Sequence, residues 1–195
     1  MAMRVIRFAS LTPTPWKNGG GTTTEIAVSP DGAGLENFDW RVSIAVVAGD
    51  GPFSLFPGID RALTLIEGDG LAMAIEGRPP LTLTTASDPL PFPGDVPVSA
   101  SLIGGPIRDL NVMSRRGRIR HHVARHDLRA GPAALPSGGT RLVVSLGSGP
   151  MAVGEAALTM AFGDVIEMAG ENPVSLQGSH PVLIISLTAS GPGLR

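Results

Sequence analysis

Residues Pro15 to Ile26 read PWKNGGGTTTEI and gather side chains suited to holding a small ligand. Lys17 is the only lysine in the chain, and it stands between Trp16, one of two tryptophans, and Asn18. An ammonium group, an amide and an aromatic face together suit a small polar or anionic molecule. Gly19, Gly20 and Gly21 follow. Three consecutive glycines lose much backbone entropy on folding, and they are used where the chain approaches something closely or takes positive φ. A phosphate-binding P-loop needs its lysine after the glycines, then Ser or Thr and a helix. Here the lysine comes first, and the β-branched run that follows reads as a strand. The segment is expected to be a ligand edge leading into a strand, with Trp16, Lys17, Asn18, Gly19 and Gly20 on its rim.

Further candidates sit on alternating patterns. From Trp40 to Val46 the bulky residues share one face of a strand, while Arg41, Ser43 and Ala45 share the other. Asp109, Asn111 and Met113 likewise share a face opposite Leu110 and Val112. In a small barrel alternate residues point inward, and an interior holding one ligand carries some polar groups. The inward set expected here is Thr23, Glu25, Arg41, Ser43, Asp109 and Asn111. Lys17, Asn18 and Arg61 are expected to close the mouth from loops, with Ser54 a lesser candidate. Buried charge is unfavourable unless paired, so these acids and bases imply mutual pairing, a ligand, or both. Arginine binds carboxylates through a planar fork, which points Arg41 and Arg61 at an anion. The alternative places Arg41 on the outer wall in a weak surface pair with Glu25. Trp16 reads equally as a loop aromatic capping the core, and Phe53 and Phe56 read as core and turn residues.

The elements that must position these groups are short strands. The chain has 195 residues, 43% hydrophobic and 16% charged, with Gly 26 and Pro 18 spread throughout. Such punctuation leaves no room for long helices and favours many strands joined by turns. An internal echo supports duplication: Leu63 to Gly70 resembles Leu142 to Gly149, and Phe92-Pro93-Gly94-Asp95 resembles Phe162-Gly163-Asp164. The expected fold is all-β, two cupin jelly-roll β-barrels in tandem (a bicupin), with a single β-sandwich as the alternative. The expected domains are 1–130, an N-terminal barrel carrying the ligand pocket, and 131–195, a mainly structural C-terminal barrel. Leu142 to Val144 and Leu183 to Ile185 look almost wholly apolar, which is why the second barrel is read as structural.

Five ordered segments then resemble the HutD/Ves family, a bacterial bicupin group associated with histidine utilisation. They are PWKNGGGTTTEIA (Pro15 to Ala27), WRVSIAVV (Trp40 to Val47), DGPFSLFPGIDRALTLIEGDGL (Asp50 to Leu71), FPGD (Phe92 to Asp95) and DLNVMSRRG (Asp109 to Gly117). They span roughly the first 120 residues; the remainder resembles the family only in its β pattern. The resemblance implies a cytoplasmic accessory protein of histidine catabolism without a well-established catalytic activity.

Composition removes several functions. The net charge of −2 gives no global attraction for nucleic acid or an anionic membrane, and no apolar run exceeds strand length. The basic stretch Arg115 to Arg129 lacks aromatic interleaving and a recognition helix, and reads as a charge-guarded edge strand. With no cysteine there is no disulfide, thiolate metal site or thiol nucleophile. All four histidines, His121, His122, His126 and His180, lie after residue 120, away from the motif region where cupin metal ligands would sit. No metal and no cofactor are expected. No Gly-x-Ser-x-Gly elbow is present, although Glu25 and Asp109 have the chemistry for acid/base work. The function expected is non-enzymatic binding of a small anionic metabolite such as formylglutamate or urocanate by a monomer or homodimer. The alternatives are a metal-independent cupin enzyme acting on a small acid or sugar, and a purely structural partner protein.

Overall fold

The computed structural model describes residues 2–191, and they are almost entirely strands; the only helix among them is a 3-10 turn at Phe8–Ser10. After β1 (Ala2–Ile6) come β2 (Thr14–Pro15), β3 (Gly21–Ser29), β4 (Trp40–Val47), β5 (Gly51–Pro52), β6 (Ile59–Glu67), β7 (Gly70–Ile75), β8 (Leu81–Leu83), β9 (Leu90–Pro93), β10 (Val98–Ile103) and β11 (Ile107–Arg115). They are followed by β12 (Ile119–Asp127), β13 (Ala133–Leu135), β14 (Thr140–Ser145), β15 (Gly149–Val153), β16 (Ala156–Met160), β17 (Val165–Ala169), β18 (Val174–Gly178) and β19 (Pro181–Ala189). No helix among the described residues is long and apolar enough to cross a membrane.

The strands form two compact units. One is Thr12–Arg118; the other joins residues 2–11 to residues 119–191. This differs from the boundary expected at residue 130. The N-terminal strand β1 pairs along the whole of β17, from Ala2↔Ala169 to Ile6↔Val165, and β12 pairs along β19 from Ile119 to Asp127. Both stretches therefore leave the N-terminal domain they were expected to join. Backbone pairing over a full strand outweighs sequence proximity, and nothing local in MRVIRF reveals a partner about 160 positions away.

Within Thr12–Arg118, a six-stranded sheet of order β2-β3-β4-β11-β6-β9 packs on a four-stranded sheet of order β5-β10-β7-β8. Ala45, Val47, Leu63, Leu65 and Ile107 of the larger sheet meet Leu71, Met73, Ile75, Val98 and Ala100 of the smaller one. Alternation then fixes the inner face of β4 as Arg41, Ser43, Ala45 and Val47. The other unit repeats the plan, with β12-β19-β14-β17 matching β4-β11-β6-β9 and β13-β18-β15-β16 matching β5-β10-β7-β8. The fold is a pair of jelly-roll barrels, as the echo implied. One half of that echo is misaligned: Leu63 to Gly70 and Leu142 to Gly149 are equivalent strand-and-turn segments, whereas FPGD ends β9 and Phe162 to Asp164 precedes β17.

Candidate functional site

Four adjacent strands bring the candidate residues of Thr12–Arg118 onto one inner face, in three successive cross-strand rows. Arg41 on β4 is opposite Met113 on β11, which is opposite Arg61 on β6 and, beyond it, Phe92 on β9. The next row is Glu25, Ser43, Asn111 and Leu63. The third is Thr23, Ala45, Asp109 and Leu65. The alternation read from β4 and β11 is thus inward for the polar set, and the outer-wall placement of Arg41 does not hold. Arg61 corrects a second expectation, since it lies within β6 rather than in a loop.

Arg61 is the centre of this face. It is only 5% exposed. Its guanidinium carbon lies 5.1 Å from the centroid of Phe53, 5.6 Å from Phe56 and 5.1 Å from Phe92. Ring faces stabilise a cation electrostatically but accept nothing from its in-plane N–H groups. Those groups find little else among the described residues: Nε donates to Asn111 Oδ1 at 3.4 Å and Nη1 to the Ser54 carbonyl at 3.5 Å, both long for this type of bond. Ser54 is therefore involved through its backbone, its side chain being exposed. Gly94 lets the cage close, because a Cβ there would lie 2.9 Å from the Ile59 carbonyl and 3.2 Å from Arg61 Cδ.

Asp109, 3% exposed, is the buried counter-charge. Burial pushes its carboxyl up to about 7, against the opposing pull of Arg61. Burial likewise lowers Arg61 to about 10, with Asp109 acting to raise it and Arg41 to lower it. No hydrogen bond helps hold the Asp109 charge; Arg61 acts on it through space. Arg41 is better satisfied, its Nε donating to Glu25 Oε2 at 2.7 Å and its Nη1 to Ser43 Oγ at 3.2 Å. Glu25, 45% exposed in its side chain, marks the open flank of the set.

The glycine segment lies elsewhere. Gly21 pairs with Val47, six positions along β4 from Arg41, or roughly 20 Å at the usual strand rise. Trp16 Nε1 donates to Thr23 Oγ1 at 2.7 Å, and the ring packs on the barrel core. Gly19 takes φ +71 in the turn, and a Cβ on Gly21 would overlap the Val46 carbonyl and lie 3.1 Å from two Trp16 ring carbons. Asn18 Oδ1 accepts from the Gly20 N–H at 3.1 Å, and Lys17 is exposed. The glycines thus have a structural cause, the seating of Trp16, and Lys17, Asn18, Gly19 and Gly20 do not converge with Arg41 and Arg61. Phe53, Phe56, Phe92 and Gly94 were missed. Their signal was two phenylalanine-bearing motifs, but only the Arg61↔Phe92 register shows them as one cage.

The second unit supplies an internal comparison. Arg141 on β14 is opposite Ser186 on β19, which is opposite His122 on β12, and Met168 on β17 lies beyond Arg141. Arg141 therefore occupies the position of Arg61, with Ile184 and Val182 in place of Asn111 and Asp109. Contrary to the apolar reading of this barrel, it holds a wholly buried arginine. The outer nitrogens of that guanidinium are engaged by carbonyls: Nη1 donates to Pro136 at 2.8 Å and Asn172 at 2.9 Å, and Nη2 to Gly170 at 3.0 Å, while the buried Nε has no partner. His180 is buried as well. Ser145 Oγ donates to the Gly147 carbonyl at 2.8 Å and so accepts from His180 Nε2 at 2.7 Å, so His180 does not act as a base on Ser145. His122 and His126 are exposed on the edge strand β12. Among the described residues no group of three or more His, Asp or Glu side chains is placed to hold a metal ion. Grooves of about 570 and 330 Å³ lie on the outer face of the small sheet, along Ala72, Ala74 and Ser99, and contain no convergent buried polar groups.

A family model, HutD, matches residues 9–184. The chain belongs to the HutD family. A curated family relative, the uncharacterized 21.2 kDa protein in the hutC 3′ region of Pseudomonas putida, is 40% identical over 118 residues, covering 60% of this chain and 61% of that protein. Protein Ves of Citrobacter koseri is 44% identical over 110 residues, 55% of this chain and 56% of its own. The chain thus spans less than two thirds of the length of these curated relatives. The solved structure of HutD from Pseudomonas fluorescens SBW25 in a formate condition covers 97% of this chain and 100% of its own at 34% identity, with a TM-score of 0.85. At the level of fold alone, salicylate 1,2-dioxygenase from Pseudoaminobacter salicylatoxidans overlays with a TM-score of 0.62 at 10% identity, covering 98% of this chain and 86% of its own. The HutD-family fold is a tandem cupin.

Proposed function

We propose that the Thr12–Arg118 barrel binds a small carboxylate metabolite at Arg61 and Asn111, and that the protein serves an accessory or regulatory role in histidine catabolism. One observation carries this reading: two equivalent buried arginines differ in whether their donors are used. Arg141 is tied by three short bonds from its Nη atoms to carbonyls, with only its Nε left without a partner, whereas Arg61 is held from its faces by three rings and keeps an in-plane fork with only two long bonds. A carboxylate fits that fork bidentately. Glu25, Arg41, Ser43 and Asp109 line the remainder of the face; Trp16 and Thr23 close its far end. The pathway rests on the family's association with histidine utilisation and on the hutC region of the P. putida relative. Formylglutamate and urocanate are the first ligands to test.

Calorimetric titration with both acids is expected to give saturable binding without turnover. Arg61→Met lowers affinity at least tenfold, the loss of a charge-assisted bond worth about 1.5 to 3 kcal/mol. Unchanged binding in a folded variant removes Arg61 from the site. A second reading rests on Asp109, a buried carboxyl brought to about 7 beside an arginine, which suits metal-independent proton transfer on a small acid. Turnover of either acid that Asp109→Asn abolishes favours that reading.

A further inference from the structure

We infer that binding at this site is proton-coupled: when a carboxylate occupies Arg61 a proton is taken up at Asp109, so that affinity falls as pH rises. This rests on the carboxylate-binding reading above and adds its regulation. Charge on the inner face is balanced before anything binds, with Arg41 and Arg61 as its cations and Glu25 and Asp109 as its carboxylates. An entering carboxylate sets three anionic groups against two cations. Two of the three are well held. Glu25 is half-exposed and accepts from Arg41 Nε at 2.7 Å, and the ligand takes the open fork of Arg61. Asp109 is the group left to neutralise.

Asp109 is buried, and no hydrogen bond among the described residues helps to hold its charge. Its neighbours across the sheet are Ala45 and Leu65, which have no polar side-chain atoms, and Thr23 at the end of that row is engaged with the Trp16 indole. The charged groups on its face from the neighbouring strands are Arg61 on β6, Arg41 on β4 and Glu25 on β3. From β9 comes Phe92, and from the smaller sheet Leu71, Met73, Val98 and Ala100, none of which titrates. Arg61 is the charge that supports the Asp109 carboxylate. Its side chain reaches from the first row to Asn111 in the second, so its guanidinium lies one row, about 7 Å, from Asp109. A carboxylate on the fork cancels that support and brings a like charge beside it. Both changes favour the protonated acid, and burial leaves them little screened. The carboxyl already stands at about 7 without a ligand, so a further rise falls within the range that solution pH reads. By reciprocity, a proton that is held more tightly in the complex strengthens ligand binding in turn. The proton is drawn from the medium, and release of the ligand returns it.

The test titrates N-formylglutamate into the full chain by calorimetry, because its carboxyls are ionised throughout the range from about pH 6 to 9 and its amide does not titrate there. At about pH 8 the observed enthalpy is measured in HEPES, Tricine and Tris, and its slope against the ionisation enthalpy of the buffer counts the protons taken up. More than about half a proton is expected at pH 8 and nearly none at pH 6, with Kd rising at least about fivefold from pH 6 to pH 8.5. In Asp109→Asn both dependences are expected to vanish. Saturable binding by the wild type with equal Kd at the two pH values and no buffer dependence overturns this inference and leaves the Arg61 reading standing, an outcome that needs no variant to fold. Proton uptake that persists in Asp109→Asn assigns the proton to another group and also overturns it. Absence of binding at every pH removes the Arg61 reading and this inference together.

Discussion

The burial of Asp109 makes a prediction about stability that requires no ligand. Its folded-state value of about 7 stands above the ordinary aspartate value of 3.8. For a carboxyl raised on folding, the native state binds the proton more tightly than the unfolded chain. Stability is then full below the unfolded value and is lost as pH rises through the folded one, by about 1.4 kcal/mol per pH unit within the window. Between pH 5 and pH 8 the wild type should therefore lose on the order of 3 kcal/mol relative to Asp109→Asn, which does not titrate. Packing differences and the loss of the Arg61 partner shift the two curves by a constant and leave the pH-dependent difference intact. Both tryptophans, Trp16 and Trp40, lie in Thr12–Arg118, so urea unfolding followed by their fluorescence reports this barrel selectively. Midpoints and slopes measured at pH 5, 6, 7 and 8 give the difference directly. Parallel stability curves across that range would show Asp109 ionising as a solvated carboxyl does, and the desolvation of its carboxyl by burial would be refuted.

Gly94→Ala places a Cβ against the Ile59 carbonyl and the Arg61 stem, and is expected to cost about 1 to 3 kcal/mol in the same urea assay. Gly21→Ala collides with the Val46 carbonyl and the Trp16 ring, with a similar cost and a red-shifted tryptophan emission as the indole leaves Thr23. Arg141→Leu leaves three carbonyls without their donor, and should cost about 3 kcal/mol or more, read as lost hydrogen-exchange protection in residues 136–138 and 170–172. His180 is depressed by burial, so its stabilising contribution is present above the ordinary histidine range and lost as pH falls; His180→Gln should flatten the acid limb of thermal unfolding.

Much of the inner face was legible because strand alternation is a local property. Arg41 with Ser43, and Asp109 with Asn111, were each assigned a common face from runs of five to seven residues, and the register sets them side by side. Arg61 was assigned to a loop, because the start of β6 at Ile59 follows a turn-rich run and leaves no mark in it. The phenylalanine cage was invisible for a different reason: Phe53, Phe56 and Phe92 meet only through the β6–β9 register and the backbone bonds from Phe56 N to Gly94 O and from Gly94 N to Ile59 O. The triple glycine misled. Its conformational cost was read correctly, but the close approach it permits is that of Trp16, a neighbour in sequence, rather than of a ligand.

Duplication helps to interpret the site, because it holds topology fixed while chemistry changes. An inward arginine near the start of β6 and of β14 is compatible with a stability role, and Arg141 fills that role by tying Pro136, Gly170 and Asn172 together. If Arg61 served the same purpose, carbonyls at comparable distances would be expected around it. Instead the equivalent space is occupied by rings, which keep the charge but leave the fork open, and by an amide and an acid where the other barrel has Ile184 and Val182. Replacing isoleucine and valine by asparagine and aspartate in a barrel interior is destabilising on its own. Such a set persists only where something other than stability acts on it, and here it leaves cations at one end of the face and a buried carboxyl without a hydrogen bond at the other.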